Sequence, residues 1–147
     1  MSFLNALNIS ASGMTAERMR LDVAAENIAN INTTRTEAGG PYRRKMVVFE
    51  AAGENSFANA FRSELAKSSA SGGGVRVTDI VEDPSDFRSV YDPTHPDADE
   101  NGYVQMPNVD LLKEVVDSMS ASRAYEANLT AFNTMKSMAT KALQIGE

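Results

Sequence analysis

Cysteine is absent from the 147-residue chain, which removes disulfides, thiolate nucleophiles and the softest metal ligands. Tryptophan is also missing, and His95 is the one histidine, so a zinc site or a histidine-based triad has almost no material. Aromatic residues make up only 7%. Cationic side chains are outnumbered 14 to 20, and a net charge of -6 argues against nucleic acid as a partner. No apolar run approaches the roughly 18 residues that span a bilayer. The first basic residue is Arg18, so the N-terminus lacks the charged start of a secretory signal. The expectation is a soluble chain whose export uses a route without a cleaved signal.

What the chain does have is helical patterning at both ends. Leu4, Leu7, Ala11, Met14, Leu21, Ala25 and Ile28 follow three- and four-residue steps, interrupted by Arg18. This predicts one helix over residues 2 to about 32, capped by Ser2, with Gly13 marking a bend or a close neighbour. A second helix is predicted after Pro107, with Asn108 as its N-cap and Asp110 complementing its positive start. Its apolar positions run through Leu112, Val116, Met119, Tyr125, Leu129, Phe132, Met135, Ala139 and Leu143 to a terminus suited to Gly146. They drift around the helix, so one partner helix cannot bury them all.

Between the helices, "PYRRKMVVFE", "GVRVTDIVE", "FRSVYD" and "GYVQM" are short β-rich runs punctuated by proline and Asn101-Gly102. "SSASGGG" (Ser68 to Gly74) reads as a flexible connector, and Ala51 to Lys67 as either a short helix or disorder. The expected fold class is α+β: two long terminal helices packing as an antiparallel coiled-coil-like pair, with a small β-rich middle. The expected divisions are an N-terminal core helix at 1–34, a middle segment at 35–106 with a flexible insertion near 50–74, and a C-terminal core helix at 107–147.

Candidate chemistry is thin. "DADENG", from Asp97 to Gly102, matches the first half of a calcium-binding loop, but Asn108 stands where the bidentate glutamate belongs. An acidic Asn-Gly turn explains it more simply, with His95 a turn residue between Pro93 and Pro96. The acidic run from Glu82 to Glu100 reads as a solvated loop, not a carboxylate pair for glycoside hydrolysis. "SGGG" lacks the Lys-Ser/Thr of a phosphate loop, and no cofactor is expected. "YRRK", Tyr42 to Lys45, is read as meeting a partner's acidic patch or plain solvent. Nothing here makes an enzyme.

The stretch "ENIANINTT" poses a separate question, because asparagine is a poor helix-interior residue. Asn27, Asn30 and Asn32 can cap the helix end or face solvent. Alternatively they pair across the seam with Asn128 and Asn133, within the chain or in an adjacent subunit, and so fix register.

Three long marks in the chain resemble the rod and hook family of bacterial flagellar axial proteins. They are "SASGMTAERMRLDVAAENIANINTTRTEAGGPYRRK" (from Ser10), "GGGVRVTDIVEDPSDFRSVYDPTHPDADENGYVQMPNVD" (from Gly72) and "SASRAYEANLTAFNTMKSMATKALQIG" (from Ser120). "TTRT--GGPYRRK" and "VYDPTHPDADENGYV-MPNVD" point to a rod branch of the basal body within that group. The resemblance implies a structural subunit that stacks helically into the proximal rod, carries torque through the periplasm, and is exported unfolded by the flagellar type III apparatus. It implies self-association, and as partners other proximal rod proteins, the adaptor joining rod to membrane ring, and distal rod subunits. It favours packing roles for the asparagines and an assembly interface made of Leu7, Met14, Leu21, Asn27, Ile28, Asn30, Asn32, Met119, Tyr125, Asn128, Leu129, Phe132 and Asn133. The helices are then expected to be partly disordered in the monomer and to order on assembly.

Overall fold

The computed structural model describes residues 3–52 and 73–145. The expected Ser2 cap, the Gly146 terminus and the 53–72 part of the middle segment lie outside those residues. The described elements are helix α1 (Phe3–Ala29), strands β1 (Lys45–Ala51), β2 (Val75–Glu82), β3 (Arg88–Tyr91) and β4 (Tyr103–Met106), and helix α2 (Leu111–Ile145). β1 pairs with β2, and β3 pairs antiparallel with β4 in the register Arg88–Met106 to Tyr91–Tyr103. The chain is therefore α+β, as its sequence pattern predicts.

The helix ends are set by named side chains. α1 stops at Ala29, about three residues short of the expected end, because Asn30 turns its amide back onto the Glu26 carbonyl at 2.9 Å and accepts from the Thr33 hydroxyl at 3.1 Å. The Glu26 carbonyl also keeps its helical bond from Asn30 N–H at 3.1 Å, while Ile31 N–H turns to the Ile28 carbonyl at 3.3 Å instead of that of Asn27, so the helix closes in a tighter turn. At the start of α2 the cap is Asp110, whose carboxylate accepts from Leu112 N–H at 3.0 Å and Lys113 N–H at 3.4 Å. The expectation that Asn108 caps this helix is corrected: its oxygen accepts from Arg44 N–H at 2.8 Å and its amide donates to Ser85.

The chain divides into two compact units. The first takes residues 1–19, 49–78 and 121–147. Within it the most deeply buried side chains are small: Ser10, Ala16 and Ala121. α1 and α2 approach closely there, since a Cβ on Gly13 would lie 2.9–3.1 Å from the Asn128 side-chain amide. The predicted close neighbour of Gly13 is thus Asn128. Ser12 ties the start of β2 to α1, donating to the Ile9 carbonyl at 2.7 Å and accepting from Val75 N–H at 3.1 Å.

The second unit takes residues 20–48 and 79–120. Its core is Val23, Ala24, Tyr42, Val104 and Val109, with two polar residues, Asn27 and Glu114, buried among them. Arg20 meets Asp117 at 3.2 Å and Asn27 meets Glu114 at 3.0 Å, so residue numbers rise along α1 as they fall along α2 and the helices run antiparallel. In the β3–β4 hairpin, Gly102 holds φ at +79° with the Tyr91 ring and Pro93 packed where a Cβ would point, so only glycine fits.

The predicted apolar seam of α1 is displaced. Leu4 and Ala25 are exposed, and Leu7, Ala11, Met14, Leu21 and Ile28 are only half-buried. The buried line is Ser10, Ala16, Val23, Ala24 and Asn27. Small side chains let backbones come together, so they sit at the closest approach and the long residues flank it.

Candidate assembly interface

At the centre of the second unit is Asn27, 1% exposed and hydrogen-bonded on both ends of its amide. Nδ2 donates to the Lys45 carbonyl at 2.9 Å and to Glu114 Oε2 at 3.0 Å. Oδ1 accepts from the Tyr42 hydroxyl and from Lys45 N–H, each at 2.9 Å. An amide has two donors and two acceptor sites, and all four are filled. The Asn27 side chain therefore joins α1, the segment from Tyr42 to the start of β1 at Lys45, and α2 at one point.

Glu114, also 1% exposed, is the second member. Its other oxygen accepts from Arg44 Nε at 2.6 Å. Arg44 reaches Asp83 at 3.6 Å and Asp117 at 3.4 Å, and Asp117 is shared with Arg20. Burial opposes the charge on Arg44, but the Glu114 hydrogen bond and the surrounding carboxylates outweigh it and raise its pKa. Burial first, then the Glu26, Glu114 and Glu82 carboxylates, pushes the Tyr42 hydroxyl up to about 12. Asp83 is held below the ordinary carboxylate value by the Ser85 N–H and hydroxyl, with Arg44 adding to the effect.

The reading of "YRRK" as a cluster facing a partner or solvent is therefore corrected. Tyr42 is buried, Arg44 lies among carboxylates, Lys45 pairs with Glu26 at 2.5 Å, and Arg43 donates to the Asp83 and Ser85 carbonyls while lying 4.3 Å from the Phe87 ring centroid. The basic residues of this segment hold it against the acidic residues of its own chain. A buried ion pair adds little bulk stability, but breaking one partner is costly, so such a cluster fixes geometry.

The asparagines separate by role. Asn27 is internal, where it cannot reach a neighbour, and its counterparts are Glu114 and Tyr42, not Asn128 or Asn133. Asn30 caps α1. Asn128 donates to the Ala124 carbonyl at 3.0 Å beside Gly13. Asn32 and Asn133 are exposed. Of the apolar candidates, Leu7, Met14, Leu21, Ile28, Tyr125 and Phe132 are half-buried, and Met119 and Leu129 are exposed. Tyr42, Arg44 and Glu114 were missed. The available signal was a glutamate inside the apolar run "LLKEVV".

Among the described residues, eight exposed large apolar side chains lie on α2. In the second unit, Leu111, Leu112, Val115, Val116 and Met119 are exposed within nine residues, with Leu112 at 73%. In the first unit, Leu129, Met138 and Leu143 are exposed on the same helix, Leu143 at 77%. Monomeric proteins rarely leave such rows in water, which makes these side chains the candidate contact surface. No helix among the described residues is long and apolar enough to cross a membrane.

The "DADENG" loop has the geometry of a capped turn. Asp99 accepts from Asn101 N–H at 2.9 Å and Tyr103 N–H at 2.8 Å, while Asp97 accepts from the Thr34 hydroxyl at 2.8 Å. His95 lies in the preceding turn, its Nδ1 accepting from Asp97 N–H at 3.1 Å.

Comparison with known proteins agrees with these features. Residues 7–35 match the family described as "Flagella basal body rod protein", and residues 100–145 match "Flagellar basal body rod FlgEFG protein C-terminal". The flagellar basal-body rod protein FlgC of Bacillus subtilis (strain 168) is 52% identical, with all of both chains covered. Those of Borreliella burgdorferi and Escherichia coli O6:H1 are 44% and 43% identical, over 99% and 100% of this chain and 98% and 100% of theirs. The chain belongs to the FlgC family of flagellar basal-body rod proteins, and is a structural, non-enzymatic subunit of the rod.

Proposed function

We propose that this chain is a subunit of the proximal rod, stacking helically through its terminal helices so that the rod carries torque across the periplasm. The observation that carries the reading is the open apolar surface of α2, from Leu112 to Leu143, on a chain similar along its whole length to rod proteins. Heterologous contacts between such surfaces propagate along an axis instead of closing on themselves, which is how a tube grows. The half-buried Leu7, Met14, Leu21, Ile28, Tyr125 and Phe132, the exposed Met119 and Leu129, and the polar Asn32, Asn128 and Asn133 form the assembly surface in this reading. Asn27 and Asn30 support it from within by fixing the end of α1.

Neighbours in this reading are other proximal rod proteins, the adaptor to the membrane ring and distal rod subunits. Delivery is by the flagellar export apparatus, without a cleaved signal. Torque passes through a stiff wall, and the Asn27–Glu114–Arg44 cluster supplies stiffness by tying three segments at one point. Deletion of the gene should leave basal bodies with rings and no completed rod in electron micrographs, restored by re-expression. Substituting aspartate for Leu21, Ile28, Leu129 or Phe132 should block incorporation, and wild-type assembly by all four variants would refute this surface.

A further inference from the structure

The loop that joins β3 to β4 holds the one Asn-Gly dipeptide of the chain, Asn101-Gly102. Glycine has no Cβ to shield its amide nitrogen, so that nitrogen can attack the side-chain carbonyl of an asparagine just before it. Asn101 is exposed, and its side-chain amide has no hydrogen-bond partner among the described residues, so the electrophile is open. Asparagine suits a turn backbone, but this amide does nothing in the closed hairpin.

The nucleophile, by contrast, is held. Gly102 is buried, and its N–H donates to the Asp99 carbonyl at 3.0 Å, closing a four-residue turn. Its own carbonyl accepts from Asp92 N–H at 2.9 Å. The Asp99 carboxylate accepts from the N–H groups on either side, Asn101 at 2.9 Å and Tyr103 at 2.8 Å. Tyr91 and Pro93 pack where a Cβ on Gly102 would point, which leaves the peptide little room to rotate.

We propose that Asn101 is a deamidation site that the closed hairpin keeps silent, with Asp99 as the residue that positions the turn against the reaction. When the hairpin opens, the Gly102 nitrogen gives its proton to solvent and bonds to Asn101 Cγ. The Cγ–Nδ2 bond breaks, Nδ2 takes up a proton, and ammonia leaves a cyclic imide. Water then opens the imide at either carbonyl, so that aspartate or isoaspartate results and the net exchange is water in, ammonia out. Isoaspartate adds a methylene to the main chain between residues 101 and 102. That throws the bond from Asp99 N–H to the Tyr103 carbonyl, 2.9 Å in the closed loop, out of register. The turn thereby records how long the hairpin has stood open.

The full-length chain is incubated in mildly alkaline buffer with and without urea, and conversion at each asparagine is followed by peptide mass mapping. In urea, Asn101 should convert faster than every other asparagine, to a mixture of aspartate and isoaspartate. Without urea it should be slower by about tenfold or more, because only locally opened molecules react. Asp99→Ala should raise the native rate about tenfold, the factor that two ordinary hydrogen bonds contribute to an opening equilibrium, and leave the urea rate and the helical dichroism unchanged. Asp99→Asn keeps an acceptor for both N–H groups and should stay near the parent. Glu100→Ala removes a neighbouring charge but no hydrogen bond of the turn, and should do the same. Equal rates with and without urea would overturn the inference, as would an Asp99→Ala rate equal to the parent's. So would acceleration by Asp99→Asn or Glu100→Ala as large as that by Asp99→Ala.

Discussion

Replacing Asn27 with alanine should cost the second unit about 4 kcal/mol, a large share of the 5–15 kcal/mol that holds an ordinary domain together. The side chain is 1% exposed, so water cannot take its place without opening the core. The substitution orphans the Tyr42 hydroxyl and both the N–H and carbonyl of Lys45, and takes from Glu114 one of its two partners. An orphaned buried polar group costs about 1–3 kcal/mol, and Glu114 keeps Arg44, which limits the charged part of the loss. Asn27→Asp should be worse at neutral pH. It sets a second carboxylate at the 3.0 Å position now donating to Glu114, a repulsion of about 5 kcal/mol at an effective dielectric of ~20. Acidification should recover part of that loss. Asn32→Ala, at an exposed position, should stay within about 0.5 kcal/mol of the parent. Urea titration of the purified chains by circular dichroism, with hydrogen exchange at Lys45, gives the comparison. An Asn27→Ala chain as stable as Asn32→Ala would refute the buried-lock reasoning.

Alkaline pH should loosen the same cluster. Tyr42 has its hydroxyl raised from 10.0 to about 12, so its contribution is complete below pH 10 and is lost as pH climbs from 10 towards 12. The size is about 2 kcal/mol, and Tyr42→Phe should flatten that limb of the stability profile in alkaline denaturation. Asp110→Ala should cost about 1 kcal/mol by removing the α2 cap, seen as early fraying of residues 111–114 in hydrogen exchange. Asn108→Ala should leave that exchange unchanged while freeing Arg44 N–H. Gly13→Ala gains about 1 kcal/mol of helix propensity but drives a Cβ into Asn128, so the two positions should show a coupling of about 1 kcal/mol in a double-mutant cycle with Asn128→Ala.

Both helices, the short strands and the glycine turn at 102 were legible because each rests on local signals: three-and-four periodicity, proline and glycine punctuation, alternating β-formers. Which face of α1 is buried was not, because periodicity marks the largest apolar side chains whereas closest approach is decided by the smallest. Ala16 and Gly13 carry little hydrophobic weight, yet α1 meets α2 there. The candidate site divides in the same way. Asn30 as a cap follows from asparagine chemistry at a helix end. Asn27 as a lock depends on Glu114, 87 positions away, and on Tyr42, and no local pattern joins them. The basic run misled because its charges look free in one dimension, while the carboxylates that hold Arg44 come from β2's end and from α2. Reading the glutamate in "LLKEVV" as buried would have required a cation and an amide already at hand.

Partial disorder of the helices in the monomer, expected from their unburied apolar rows, should spare the helical stretches of the second unit, because its lock is built from Asn27 on α1 and Glu114 on α2 and needs no neighbour. The measurement that bears most directly on the account is electron microscopy of basal bodies from a strain lacking this gene, beside the same strain re-expressing it. Rings without a completed rod, restored on re-expression, are the predicted result. Complete rods and normal motility in the deletion strain would contradict it.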